Sequence, residues 1–244
     1  MRAKRVSAEV SVCLPSFEHL PKIFVLGFNK CGTRSFSEVF ERSGIGCVHW
    51  DSNRLARYIA NDINKHGLIN LNKYYPGSNS YCDIISSPIS ENDPIDIVEG
   101  VEFFEQIYSS YPDAYFILNT RHVEDWILSR LRHERGRFKS RYKVFLTKKF
   151  GVPYDDNKLS LYWYKIWHKY HFLIIEFFES KPDANFLLYD ITNSPFSCLV
   201  EFLSPSYSLL GTSFAQKGRT SYDNNFVRIY IARFLKRLFS GKFF

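Results

Sequence analysis

The 244 residues contain no C-x-x-C pair, no internal repeat and no low-complexity block. Five cysteines, Cys13, Cys31, Cys47, Cys82 and Cys198, are odd in number and widely spaced. That argues against a disulfide framework and a zinc knuckle, and fits a reducing compartment. Long apolar runs are missing too: none reaches membrane-spanning length, and residues 1–21 lack the apolar stretch of a secretory signal. A cytoplasmic protein with a loose leader is therefore expected. Acidic residues are the minority charge, 25 Asp and Glu against 32 Lys and Arg, for a net charge of +7. The excess suits a polyanionic ligand, an anionic membrane surface or nucleic acid without choosing among them, and equally describes a merely basic soluble protein. A localised site has to decide.

Hydrophobic residues make up 45% of the chain and aromatics 18%, enough to bury one sizeable core, and this excludes a disordered or fibrous class. Ile23-Phe-Val-Leu-Gly27 is a short apolar run ending in glycine, the pattern of a buried parallel strand entering a turn. Phe36, Val39 and Phe40 fall on one face of a following helix, which Ser43-Gly44 closes, and residues 45–50 read as a second strand, completing a β-α-β unit. Residues 53–65 read as a helix. Residues 73–94, rich in Tyr, Ser, Asn, Pro and Gly, read as a loop region around a short apolar piece at 81–85. Helix 101–109, strand 114–118, helix 123–131, a long aromatic helix 159–179, strand 185–189 and helix 198–203 continue the alternation. The pattern predicts one α/β domain over residues 22–223: a three-layer α/β/α sandwich on a mostly parallel central sheet, with ligands at the carboxyl ends of the strands. Residues 224–244 read as a basic amphipathic helix that docks on the domain or lies on an anionic membrane.

The chemistry concentrates in Gly27-Phe-Asn29-Lys30-Cys31-Gly32-Thr33-Arg34-Ser35, between a strand and a helix. Backbone N–H groups and the positive end of a helix dipole surround a phosphate at such a junction. The nucleotide triphosphatase form, G-x-x-x-x-G-K-[ST], is absent: Thr33 stands where its lysine should be, and Lys30 lies inside the loop. There a lysine can reach the oxygen bridging phosphate and leaving group, while Gly32 admits close backbone approach and Thr33, Arg34 and Ser35 add donors. The pattern Lys30-x-Gly32-Thr33-x-Ser35 after a buried strand resembles the 5′-phosphosulfate loop of the sulfotransferases. A second segment agrees: Arg121 ends a strand and Ser129 follows eight positions later on a helix. The run Tyr111-Pro-Asp-Ala-Tyr-Phe-Ile-Leu-Asn-Thr-Arg121-His-Val-Glu-Asp-Trp-Ile-Leu-Ser129 looks like the Y-P-x-A-x-x-I-L-x-x-R-x-x-x-x-W-x-x-S run of one branch of that family. In it the arginine and serine grip the donor's 3′-phosphate, and a guanidinium fork suits that role.

The resemblance covers roughly residues 22–203 and is weak between Trp50 and Tyr81. It implies a P-loop-like fold and 3′-phosphoadenosine 5′-phosphosulfate (PAPS) as cosubstrate, without a metal. Lys217, Gly218 and Arg219 are similar to the basic loop that closes over the 3′-phosphate in cytosolic sulfotransferases, although a solvated basic turn reads the same way. The acceptor's proton needs a base. Asp83 resembles an aspartate of the same branch, and His49 ends the second strand on the same rim; both also suit structural roles, as a loop cap and a hydrogen-bonded histidine. His168 and His171 lack a third ligand and read as packing. The basic run from Arg130 to Lys143 suits an anionic acceptor such as a glycan or simply a solvated helix face. The sequence thus predicts a sulfotransferase that modifies a hydroxyl or amine, possible acceptors including glycans and lipid-linked sugars. No nucleic-acid partner is expected, and peripheral membrane contact would come through the C-terminal helix. A nucleotide kinase or triphosphatase on the same fold and a non-catalytic nucleotide-binding module are the rivals.

Overall fold

The computed structural model describes residues 19–88 and 96–214. Most of the expected leader, the loop of Lys217, Gly218 and Arg219, and the amphipathic segment 224–244 lie outside the described residues. In chain order the elements are β1 (Ile23–Val25), α1 (Thr33–Arg42), β2 (Cys47–His49), α2 (Arg54–His66), β3 (Ser80–Cys82), β4 (Ile85–Ser86) and β5 (Val98–Glu99). There follow α3 (Phe104–Ser110), β6 (Tyr115–Thr120), α4 (Val123–Arg132), α5 (Arg137–Phe150), α6 (Asp156–Glu179), β7 (Asn185–Asp190) and α7 (Phe196–Leu203).

Five strands form one parallel sheet in the order β2-β3-β1-β6-β7, and β4 pairs antiparallel with β5 beside it. Strand alternation divides the core into two layers. Phe24, Leu26, Tyr81, Phe116 and Leu118 point to the side covered by α2 to α6. Ile23, Val25, Cys82 and Ile117 point to the side covered by α1 and α7. Rings of three neighbouring strands lie side by side on the first face, Phe24 being 5.2 Å from Tyr81 and 5.8 Å from Phe116. On the second face α1 buries the Phe36, Val39 and Phe40 stripe that its sequence spacing predicts. Its end is marked by Gly44 at φ 77° while the Ile45 N–H donates to the Phe40 carbonyl. The three-layer α/β/α architecture is thus the one the alternation predicts.

Two elements differ from the sequence reading. Residues 80–82, expected inside a loop region, form β3, which inserts between β1 and β2; the β-α-β unit read at the start of the chain therefore joins strands that are not neighbours. Only three residues long and buried on both faces, β3 offers no alternation for a periodicity argument to find. The basic run after α4 contains a 14-residue helix, α5, that buries Phe138, Tyr142 and Leu146 under its charges.

Candidate functional site

Central β1 opens at its carboxyl end into the loop 26–32, flanked by the ends of β3 and β6. Side chains from the β6–α4 segment, some ninety residues away, fix this loop. Asn119 accepts from the Gly27 N–H (2.6 Å) and donates to the Cys31 carbonyl (2.8 Å), spanning the loop from end to end. The Trp126 indole donates to the Asn29 carbonyl at 2.9 Å, and Arg121 donates to the Lys30 carbonyl at 3.2 Å. Arg130 donates through Nε to Asn29 Oδ1 at 2.7 Å. With several carbonyls drawn toward β6 and α4, the loop is shaped by the residues beneath it rather than by its own sequence alone. Gly27 is required by this packing, because a Cβ there would lie 1.9 Å from the Asn119 carbonyl oxygen.

Gly32 takes φ 83° and starts α1, which has neither a side-chain cap nor an acidic residue in its first turn. The Ser35 N–H donates to the Gly32 carbonyl at 2.8 Å, and the Thr33 and Arg34 N–H groups suit an anion at the positive end of the helix dipole. Cations gather around it. Lys30, itself at φ 70°, is half-buried, and no described residue hydrogen-bonds its ammonium group. Burial holds its pKa below the ordinary lysine value; Asp83 opposes that shift, and Arg34 and Arg121 press in the same direction as burial. Arg121 Nε is buried without a hydrogen-bond partner among the described residues. An unpartnered guanidinium donor beside an uncapped helix suits an anionic ligand.

The residues expected to hold phosphate are divided among the loop, the start of α1, the end of β6 and α4. Asn29, Lys30 and Gly32 lie in the loop, Thr33, Arg34 and Ser35 lie in the first turn of α1, and Arg121 reaches the loop from the end of β6. Ser129 is half-buried on α4, with no hydrogen bond tying it to the loop. Cys31, whose reactivity the sequence leaves open, is fully buried and its thiol pKa is pushed up by desolvation, so it is an inert core residue.

The two base candidates meet at the carboxyl ends of β2 and β3. His49 Nε2 lies 3.8 Å from Asp83 Oδ2 and 3.3 Å from the Thr33 hydroxyl. Burial raises the Asp83 pKa, against the lowering effect of His49, Thr33 and Lys30. Its second oxygen, Oδ1, is buried and has no hydrogen-bond partner among the described residues. Asp83 sits at φ 57°, a strained setting for a non-glycine residue. Facing Lys30 from the α4–α5 turn is His133, which the sequence did not single out; burial and the Lys30 charge lower its pKa to about 4, leaving it neutral at physiological pH.

Other charged residues have structural partners. In the basic run, Arg130 pairs with Glu99, Arg141 with Glu134, and Lys139 and Lys143 share Asp156. Internal pairing weakens the reading of that run as an open surface for an anionic acceptor. His171 lies 2.9 Å from the Trp167 carbonyl through Nδ1 and 3.0 Å from the Thr120 hydroxyl through Nε2, the packing role expected of it. Among the described residues no group of three or more His, Cys, Asp or Glu side chains is arranged to hold a metal ion.

Asn119, Trp126 and Arg130 are the residues that hold the loop, a role that sequence reasoning did not assign them. Asn119 and Trp126 lie within the run that carries the resemblance, but nothing in their spacing reveals that they hold a loop 88–97 positions earlier.

A parallel sheet whose central strand opens into a loop at an uncapped helix start, with Lys30 and Arg121 beside it and Asp83 at its side, makes this an α/β protein with the chemistry to transfer or capture a phosphate-like group. The profile of one family, described as a sulfotransferase domain, matches residues 22–187, and the chain belongs to that family. No curated protein matches the chain.

Proposed function

We propose that this sulfotransferase takes its sulfuryl group from PAPS and delivers it to a hydroxyl or amine of an acceptor, for which a glycan or lipid-linked sugar is a candidate. The observation that carries the reading is the pairing of an uncapped α1 with the unpartnered Nε of Arg121, whose guanidinium also donates to the Lys30 carbonyl of the loop before that helix. The residues fit two phosphate groups: Lys30, Gly32, Thr33, Arg34 and Ser35 at the 5′ end of the donor, Arg121 and Ser129 at the 3′ end. PAPS supplies an activated sulfur–oxygen bond. Lys30 is placed to neutralise charge growing on the departing phosphate oxygen, a contribution of roughly 3–4 kcal/mol where comparable donors are removed. Asp83 Oδ1 is the group suited to accept the acceptor's proton, with His49 beside it as the alternative base.

A second reading has an observation in its favour. A carboxylate at the end of a strand next to the loop, beside the Thr33 hydroxyl, also suits a magnesium ion in a nucleotide kinase. Calorimetric titration with 3′-phosphoadenosine 5′-phosphate, with and without magnesium and against ATP, separates the two. Micromolar binding that ignores magnesium and falls at least tenfold in both Lys30→Ala and Arg121→Ala is expected. A preference for magnesium-ATP would promote the kinase. Once an acceptor is identified, Lys30→Ala is expected to lower turnover by about 10²–10³-fold.

A further inference from the structure

Arg130 is the largest charged side chain that is fully shielded from solvent among the described residues. Its guanidinium carbon lies within 5.5 Å of the ring centroids of Phe28, Trp126, Phe138, Tyr142 and Trp163. Aromatic faces favour a cation but cannot accept its hydrogen bonds fully, so the few acceptors it does find determine its orientation. Those are Glu99 Oε1 at 2.5 Å through Nη2, and Asn29 Oδ1 at 2.7 Å through Nε. Glu99 Oε1 also accepts from the Tyr142 hydroxyl at 3.0 Å, so Tyr142, Glu99, Arg130 and Asn29 form one buried chain of contacts ending in the loop.

A carboxamide has an accepting end and a donating end on opposite sides, and a guanidinium can meet only the former. Arg130 therefore dictates which way the Asn29 amide faces. The Asn29 backbone cannot swing away, because its carbonyl accepts from Trp126. No described residue accepts from Asn29 Nδ2, the end turned away from Arg130, and Asn29 immediately precedes Lys30 in the loop. From this geometry we infer that Arg130 is a positioning residue for donor binding: it locks Asn29 so that Nδ2 serves as a hydrogen-bond donor to the 5′-phosphosulfate end of the nucleotide. The inference rests on the donor reading proposed above and adds a specificity element to the same site: a neutral amide whose polarity a buried cation sets.

Asn29→Asp tests it with almost no change in shape. The introduced carboxylate still accepts from Arg130, so the fold retains its contact, but an acceptor replaces the donor on the side facing the nucleotide. Affinity for 3′-phosphoadenosine 5′-phosphate at pH 7.5 is expected to fall at least tenfold while the variant remains folded by circular dichroism. The introduced carboxyl has an ordinary value of about 3.9 and lies against the Arg130 guanidinium, so it stays ionised from pH 7.5 down to pH 5, and the loss should persist across that range. A purely structural Arg130–Asn29 contact, which the carboxylate keeps, predicts no such loss. The double variant Arg130→Met, Glu99→Gln removes the ion pair without stranding either charge. It should keep the fold and lose affinity to a similar degree. Wild-type affinity in folded Asn29→Asp would overturn the inference while leaving the donor reading intact, whereas failure of the wild-type protein itself to bind the nucleotide would overturn both.

Discussion

Asp83 is a carboxylate whose neighbours offset its burial only in part. Its pKa is raised by desolvation despite His49, Thr33 and Lys30, so in the native protein the ionised form is disfavoured relative to the unfolded chain. Stability from such a group is fully present below the ordinary carboxylate value of 3.8 and is lost as the pH rises through the raised folded value. Asp83→Asn mimics the protonated side chain at every pH. Its melting temperature should match that of wild type near pH 4 and exceed it increasingly toward pH 7, while sulfuryl transfer is lost. A variant that melts below wild type at neutral pH would instead mark Asp83 as a structural loop cap. The gain in stability on removing a reactive group is the trade expected at a functional site.

At the level of elements, the β1–α1 loop and the β6–α4 segment behave as one unit. Asn119 alone makes two buried hydrogen bonds to the loop backbone, and removing it leaves the Gly27 N–H and the Cys31 carbonyl without partners. Each unsatisfied buried group costs about 1–3 kcal/mol. Asn119→Ala should therefore speed amide exchange at Gly27 by at least tenfold and weaken nucleotide binding, with little change at β2. Unchanged exchange at Gly27 would show that the loop holds its shape alone. This coupling also explains what the sequence could and could not reveal. Strong apolar runs such as residues 23–27 and 114–118, and the glycine that closes α1, announce themselves because local pattern and fold agree there. The phosphate loop is legible for the same reason, its lysine, glycine and hydroxyls being consecutive. By contrast, β3 is hidden by its brevity, and the ties from Asn119, Trp126 and Arg130 are hidden by sequence distance. The basic run reads two ways because charge in a sequence does not disclose its partner; Glu99, Glu134 and Asp156 pair with Arg130, Arg141, Lys139 and Lys143 of it.

For the molecule as a whole, both core layers are built on the two faces of a single sheet, so neither can melt and leave the other intact. Thermal unfolding should show one transition. Nucleotide at about 100 times its dissociation constant stabilises the native state by about 2.7 kcal/mol. For a chain of this size that amounts to a rise of roughly 5–10 °C in Tm. Two resolved transitions, or a ligand shift confined to one of them, would contradict the shared-sheet architecture. The long reach of the loop's anchors has a further consequence during synthesis. The loop leaves the ribosome first, but Asn119, Trp126 and Arg130 are translated 88–101 residues after the atoms they hold. A nascent chain therefore carries the whole 27–35 loop sequence long before the groups that shape it, and the loop acquires its anchored form only when α4 emerges.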